Sequence, residues 1–188
     1  MAPGPTVATV RGRVKMHEGV GRPSARSSVP YAGAVAGTSE RFRAAVAVYA
    51  VLRRDDRVLL LRRAGSGFHD GELSLPAGHV DAGEDALSAV LREIAEELVL
   101  HVEPQDCTLA LTGHSAPERP GDDAYVDLFF TVDRWSGEPS VGEPDKNAGL
   151  VWVPATDLPD DVIPYVAEAV RSITSGTGPR LLMWHWPG

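Results

Sequence analysis

The chain has 188 residues, 43% of them hydrophobic and 23% charged, with a formal net charge of −8. That size and composition suit one soluble globular domain with an adequate core, and no apolar run reaches the roughly 20 residues a membrane helix needs. The acidic balance argues against a broad basic groove for nucleic acid, yet it allows a small phosphate ligand reached through a divalent cation.

Residues 1–40 stand apart in composition. They are rich in Gly, Pro, Ala and Ser and carry Arg11, Arg13, Lys15, Arg22 and Arg26 against Glu18 and Glu40. This reads as a largely flexible extension, with one possible strand from Thr6 to Val14. No apolar stretch of signal-peptide length stands near the N-terminus. Together with the single cysteine, Cys107, which has no intrachain partner, this gives an expected cytoplasmic location.

The folded domain is expected over 41–178, followed by a tail at 179–188. Phe42 to Leu52 is an apolar run of the kind a doubly buried strand shows, Asp55-Asp56 a turn, and Arg57 to Leu61 a second strand. Gly65, Gly67 and Gly71 mark 64–73 as a loop. Cys107 to Thr112 and Tyr125 to Trp135 are further strands, the latter placing Val126, Leu128, Phe130 and Val132 on one face. Residues 113–124 and 136–148 are loops, and Gly149 to Val153 is a short strand. A helix is expected over Asp161–Ile173, capped by Asp160 or Asp161 and stopped by Gly176. Trp135 and Trp152 read as core. Trp184 and Trp186, in the tail, would cover the sheet or an interface. Mixed strands with two helices indicate an α/β (α+β) sandwich with helices on both sides of a sheet.

The chemistry concentrates in the helix Asp85–Leu98. Asp85 is a good N-cap, and Leu87, Val90, Leu91, Ile94 and Leu98 form one apolar stripe. At about 100° per residue, Glu93, Glu96 and Glu97 fall within an arc of roughly 100° beside that stripe. Like charges three and four residues apart, near a helix C-terminus, oppose stability. A hard divalent cation with oxygen ligands removes the conflict. A solvated acidic face is the competing reading for these three alone. Ahead of the helix, Gly78 and Gly83 permit tight turns and close approach of the backbone to a ligand.

These residues carry a resemblance to a known family, the Nudix hydrolases of MutT-like type. Their signature is Gly, five residues, Glu, seven residues, Arg-Glu, an aliphatic residue, any residue, Glu-Glu, any residue, Gly, and an aliphatic residue. The chain reads Gly78, Glu84, Arg92-Glu93, Ile94, Glu96-Glu97, Val99 and Leu100 at those places. Leu75-Pro76-Ala77-Gly78 and the strand end Leu60 to Arg63 are also typical of the family. Val99 departs, since it stands where the signature glycine ends the helix. A β-branched residue resists positive φ, so the helix is expected to run on or end by another route. Leu73 departs too, where many relatives carry an aromatic residue.

The resemblance implies a Nudix α/β/α sandwich over roughly 42–175. It implies Glu93, Glu96 and Glu97 as ligands of Mg²⁺, or of Mn²⁺, with the Gly78 carbonyl as a fourth. Glu84 and Arg92 resemble the ion pair that joins loop to helix. The implied reaction is metal-assisted hydrolysis of a phosphoanhydride bond in a nucleoside triphosphate or a related nucleoside diphosphate derivative. Glu96 or Glu93 is the implied base, with Glu138 and Glu143 of the 136–148 loop as alternatives. Arg62, Arg63 and His79 are candidate substrate contacts, because arginine binds phosphate in a two-pronged fashion. His69 and Asp70 would rim the pocket. The partner is a small nucleotide-like molecule, and the chain a monomer or homodimer. An ADP-ribose or nucleotide-sugar pyrophosphatase, and a non-catalytic nucleotide-sensing Nudix module, are the rival readings. No Ser-Gln-Pro-Trp sequence of NADH-cleaving relatives is present.

Overall fold

The computed structural model describes residues 42–178 and 180–186. The reading of 1–40, with its Thr6–Val14 strand, lies outside the described residues. Eight strands and two helices follow one another as β1 (Ala45–Arg54), β2 (Arg57–Arg63), β3 (Leu73–Ser74), β4 (Ala77–His79), α1 (Ala86–Leu98), β5 (Cys107–Ser115), β6 (Tyr125–Val132), β7 (Asn147–Pro154), α2 (Pro164–Ser175) and β8 (Leu181–Trp184).

The sheet is mixed, in the order β3-β2-β1-β6-β5-β8, with β4 added to β1 and β7 to β2. β1 lies at its centre and pairs parallel with β6 from Ala45↔Tyr125 to Leu52↔Val132. Its antiparallel pairing with β2 is confined to the turn end, Arg53↔Val58 and Arg54↔Arg57. β2 continues instead with β7, and β1 with β4. A short strand thus holds Ala77, Gly78 and His79 in register against Tyr49, Val48 and Ala47.

β1 reads as a continuous apolar run because both its faces are covered. Tyr49 and Val51 join a cluster with Leu60, Phe129, Val166, Val170 and Trp184 on the α2 side. Val48, Ala50 and Leu52 join Leu59, Leu61, Val90, Ile94, Leu98, Phe130 and Val132 on the α1 side. The expected stripe of α1 packs there, with Val90, Ile94 and Leu98 fully buried and Leu87 and Leu91 partly so. Each fully buried aliphatic side chain contributes about 1.5–3 kcal/mol, so these contacts fix α1 on the sheet.

Four expectations change. Residues 181–184 are not a tail: Leu182 and Trp184 are buried, and the segment pairs parallel with β5 from Thr112↔Leu181 to Ser115↔Trp184. Alternation of only two buried positions is too short a pattern to mark a strand in advance. β5 runs on to Ser115, beyond the expected Thr112, because β8 extends its pairing. The second helix begins at Pro164 rather than Asp161, and its N-cap Ile163 makes no side-chain cap bond. Proline disfavours helical backbone in the residue before it and suits the first helical position, so the helix cannot start earlier. Asp161 instead bonds Arg62 at 2.8 Å. Finally, α1 stops at Leu98 with Val99 left-handed, φ 56° and ψ 39°, its N–H donating to the Ala95 carbonyl. The β-branched residue takes the glycine conformation, and its exposed side chain meets little resistance there.

Candidate active site

The loop before α1 is anchored by one arginine. Arg92 donates to Glu84 through Nε–Oε1 and Nη2–Oε2, both 3.1 Å, and also to the His79 carbonyl at 3.0 Å. Its Nη1 reaches Glu93 at 2.7 Å and Glu96 at 3.1 Å. Glu84 closes the turn by accepting from the Asp81 N–H, and the Arg92 guanidinium holds its carboxyl below the usual range. Asp85 caps the helix, accepting from Leu87 and Ser88 N–H at 2.9 and 3.0 Å.

Of the three glutamates, Glu93 and Glu97 are buried at 9% and 7% exposure, whereas Glu96 is exposed. Glu93 lies against Gly78 so closely that a Cβ there would sit 1.8 Å from its Oε1, so only glycine fits. Glu97 accepts from the Ala77 N–H at 2.9 Å and from the Asn147 side-chain amide at 3.2 Å. Burial pushes the Glu97 carboxyl up to about 7 and raises Glu93, with neighbouring carboxylates, Glu143 among them, adding to both. Glu143 is paired with Lys146 at 2.8 Å. Glu138 is turned to Arg54 instead.

Among the described residues, no three acidic, His or Cys side chains converge on one point as they stand. Glu93 and Glu96 lean on Arg92, and Glu97 on Ala77 and Asn147. The donor chemistry nonetheless fits a hard divalent cation. Every available ligand is an oxygen, two of the carboxyls are desolvated, and the Gly78 backbone lies against one of them. Asn147, which orients Glu97, had no signal in the sequence, since only the crossing of β7 behind α1 brings it there.

The other expected residues divide. Arg62 is committed to the Gly71 carbonyl at 2.6 Å and to Asp161. Arg63 donates to the Phe68 carbonyl and Ser66 but also lines a cavity of about 590 Å³ beside the Ala77–His79 strand. His79 lines the same cavity, its Nε2 3.3 Å from the Tyr125 hydroxyl. Asp70 ties the glycine-rich loop, accepting from Ser66 and Gly67 N–H. His69 holds its base through Glu72.

The model of the NUDIX domain family matches residues 41–173. The 8-oxo-dGTP diphosphatase of Escherichia coli strain K12 is 30% identical over 129 residues, covering 67% of this chain and 95% of that protein. The ADP-ribose pyrophosphatase of Methanocaldococcus jannaschii is 36% identical over 104 residues, 55% of this chain and 59% of that one. Among solved structures, a MutT NUDIX hydrolase from Burkholderia pseudomallei superposes with a TM-score of 0.62 at 33% identity, over 68% of this chain and 95% of that chain. The chain belongs to the Nudix family. Within it, the chain is a MutT-like hydrolase, a nucleotide pyrophosphohydrolase of a family that generally uses divalent metals.

Proposed function

We propose that the protein hydrolyses a phosphoanhydride bond of a nucleoside triphosphate with Mg²⁺, or Mn²⁺ in its place. The observation that carries this is the burial of Glu93 and Glu97 against the Gly78 strand, where carboxylates oppose stability unless they serve a ligand. Glu93, Glu96 and Glu97 would hold the cation, with the Gly78 carbonyl. When bound, it supplies charge neutralisation on the phosphates and a lowered pKa for attacking water.

The chain's own groups do the rest. Arg92 fixes Glu93 and Glu96 and ties them to the loop through Glu84. Ala77 N–H and Asn147 orient Glu97. Glu96 or Glu93 takes the proton of the attacking water at a carboxylate oxygen, with Glu143 as the alternative base. Arg63 and His79, on the cavity wall, are placed to meet phosphate oxygens; Arg62, held by Asp161, is a weaker candidate. The substrate is a small nucleotide-like molecule, and a cytoplasmic location belongs to the same reading. The catalytic unit would span 41–178 together with β8, residues 1–40 contributing little to turnover.

Name-level similarity to an ADP-ribose pyrophosphatase favours one second reading, cleavage of a nucleoside diphosphate linked to a sugar. A panel of nucleoside triphosphates and ADP-ribose, assayed with Mg²⁺ and with Mn²⁺ for phosphate or pyrophosphate release, separates the two. Turnover of triphosphates with no cleavage of ADP-ribose supports the leading reading. Binding without turnover of any member would reduce the protein to a sensor and overturn both.

A further inference from the structure

The cavity beside the Ala77–His79 strand holds a group that the hydrolysis does not use. Asp127, on β6, is 3% exposed and lies on the cavity lining. Along β6 its neighbours on the same face are Tyr125 and Phe129, which pack into the α2-side core. An apolar residue at 127 would complete that face. The carboxyl instead accepts from the Ser115 hydroxyl at 3.2 Å and interacts with the Tyr49 hydroxyl, with the imidazoles of His114 and His79 acting at longer range. None of these is a permanent cation. A buried carboxyl with so little compensation is costly, and burial raises its pKa. Groups of that kind collect at binding sites.

The walls supply the second observation. Tyr125, Tyr49, Tyr165, Trp184 and Phe68 line the cavity, a predominantly aromatic enclosure around one carboxyl. Its volume of about 590 Å³ falls within the range of small-ligand pockets. Its position is the third. Ala77, Gly78 and His79 line it, and the same three residues meet Glu97, Glu93 and Arg92. A ring lodged in the cavity would therefore direct its phosphates along β4 toward the carboxylates of α1.

We propose that this cavity takes the base of the nucleotide substrate and that Asp127 selects a guanine-type base by accepting hydrogen bonds from its edge. A carboxylate offers only acceptors. Among the common bases, guanine alone presents two N–H donor groups side by side, N1–H and the exocyclic amine. Adenine and cytosine pair a donor with an acceptor, and uracil places its single N–H between two carbonyls. The aromatic walls hold the ring by stacking whatever its identity. This deepens the proposed function and rests on its assignment of β4 to the phosphate path.

The test is equilibrium binding, which needs neither metal nor turnover. GMP, AMP, CMP and UMP are titrated calorimetrically into the metal-free full chain. GMP should bind tightest. Asp127→Asn, which keeps the shape and replaces one acceptor with a donor, should weaken GMP roughly 10- to 100-fold, the scale of a lost two-pronged base contact, and leave the other three within about 3-fold. Tyr125→Leu should weaken all four alike without changing their order, and this second variant keeps the proposal testable if the first does not fold. Three results would overturn it: no binding of any monophosphate, a preference for AMP, or an equal loss of all four in Asp127→Asn. Glu97→Gln, which should lose turnover, should still bind GMP. A protein that binds GMP through Asp127 but hydrolyses nothing would defeat the proposed function and leave this inference standing.

Discussion

The two helices are built alike and serve different ends. α1 has 13 residues and α2 has 12, each covering one face of the same sheet with an apolar stripe. The buried residues of α2 are Val166, Ala167, Ala169 and Val170, all apolar. Those of α1 include Glu93 and Glu97. α2 starts on a proline and ends on Gly176 at φ 67°, an unstrained pairing of residue and conformation. α1 ends on Val99 at φ 56°. Packing alone thus asks for nothing that α2 lacks. The extra features of α1 are buried charge, a guanidinium clamp and a strained terminus. They work against stability, and the difference is the signature of a site.

The largest test of that contrast removes one buried charge. Glu97→Gln should lower metal-dependent turnover by a factor of roughly 10² or more, the scale of a lost ligand or base. The metal-free variant should be as stable as the parent or slightly more so, because a desolvated carboxyl facing Glu93 is gone. Steady-state rates and chemical denaturation check the two halves. Parental turnover would mean that α1 carries no more function than α2. Arg92→Lys comes next. A lysine cannot span Glu84 through two nitrogens while reaching Glu93, Glu96 and the His79 carbonyl. Activity should fall roughly 10- to 100-fold, as for other groups that orient metal ligands. An unchanged rate would show that the clamp only supports the loop.

A third test uses pH. Glu97 titrates near 4.5 when unfolded and is pushed up to about 7 by burial in the folded protein. Between those values the folded state holds a proton that the unfolded state has released. This contribution is therefore complete below about pH 4.5 and is lost as pH rises through 7. Glu93 acts in the same direction. The lowered carboxyls of Asp70, Glu84 and Asp85 act oppositely, but only in more acid solution. Metal-free protein should thus be less stable at pH 8 than at pH 5 by on the order of 1–3 kcal/mol, and Glu97→Gln should flatten the curve. Urea denaturation at the two pH values measures both. Equal slopes in the parent and the variant would contradict the assignment.

α1 was legible from its residues because its constraints are local. A cap, a 3.6-residue stripe and three acids are all set by spacing along one element, and the Nudix resemblance rests on the same segment. β1, β2 and β6 were legible as strands because burial on both faces gives long apolar runs. β8 was not, since its identity depends on pairing with β5 some 70 positions away, His114↔Met183. The start of α2 was misplaced because Asp160 and Asp161 offered a cap, while Pro164 and the Arg62–Asp161 pair decided otherwise. Within the site, Glu84 and Arg92 lie eight residues apart on one loop–helix unit, whereas Asn147 and Asp127 arrive from β7 and β6. Nothing in the pattern of either strand marks them, because their importance is created by what the sheet brings opposite.

The smallest expected effect lies at the helix end, where the two helices differ by one residue type. Left-handed backbone costs an L-residue about 1–2 kcal/mol, whereas glycine adopts it freely. Val99→Gly would relieve that strain while giving up an exposed side chain that contributes little packing. Glycine also loses about 0.5–1 kcal/mol more chain entropy on folding, which offsets part of the gain. The net should be a stabilisation of up to about 1 kcal/mol, or a rise of ~2–4 °C in Tm for a domain of this size. The capping bond from residue 99 to the Ala95 carbonyl uses backbone only and survives the change. Turnover should stay within about 2-fold, since Glu96 and Glu97 precede the substituted residue and keep their helical positions. A fall in Tm would show that Val99 is held by contacts rather than strained by them, and the contrast between the two helix ends would then be one of sequence only.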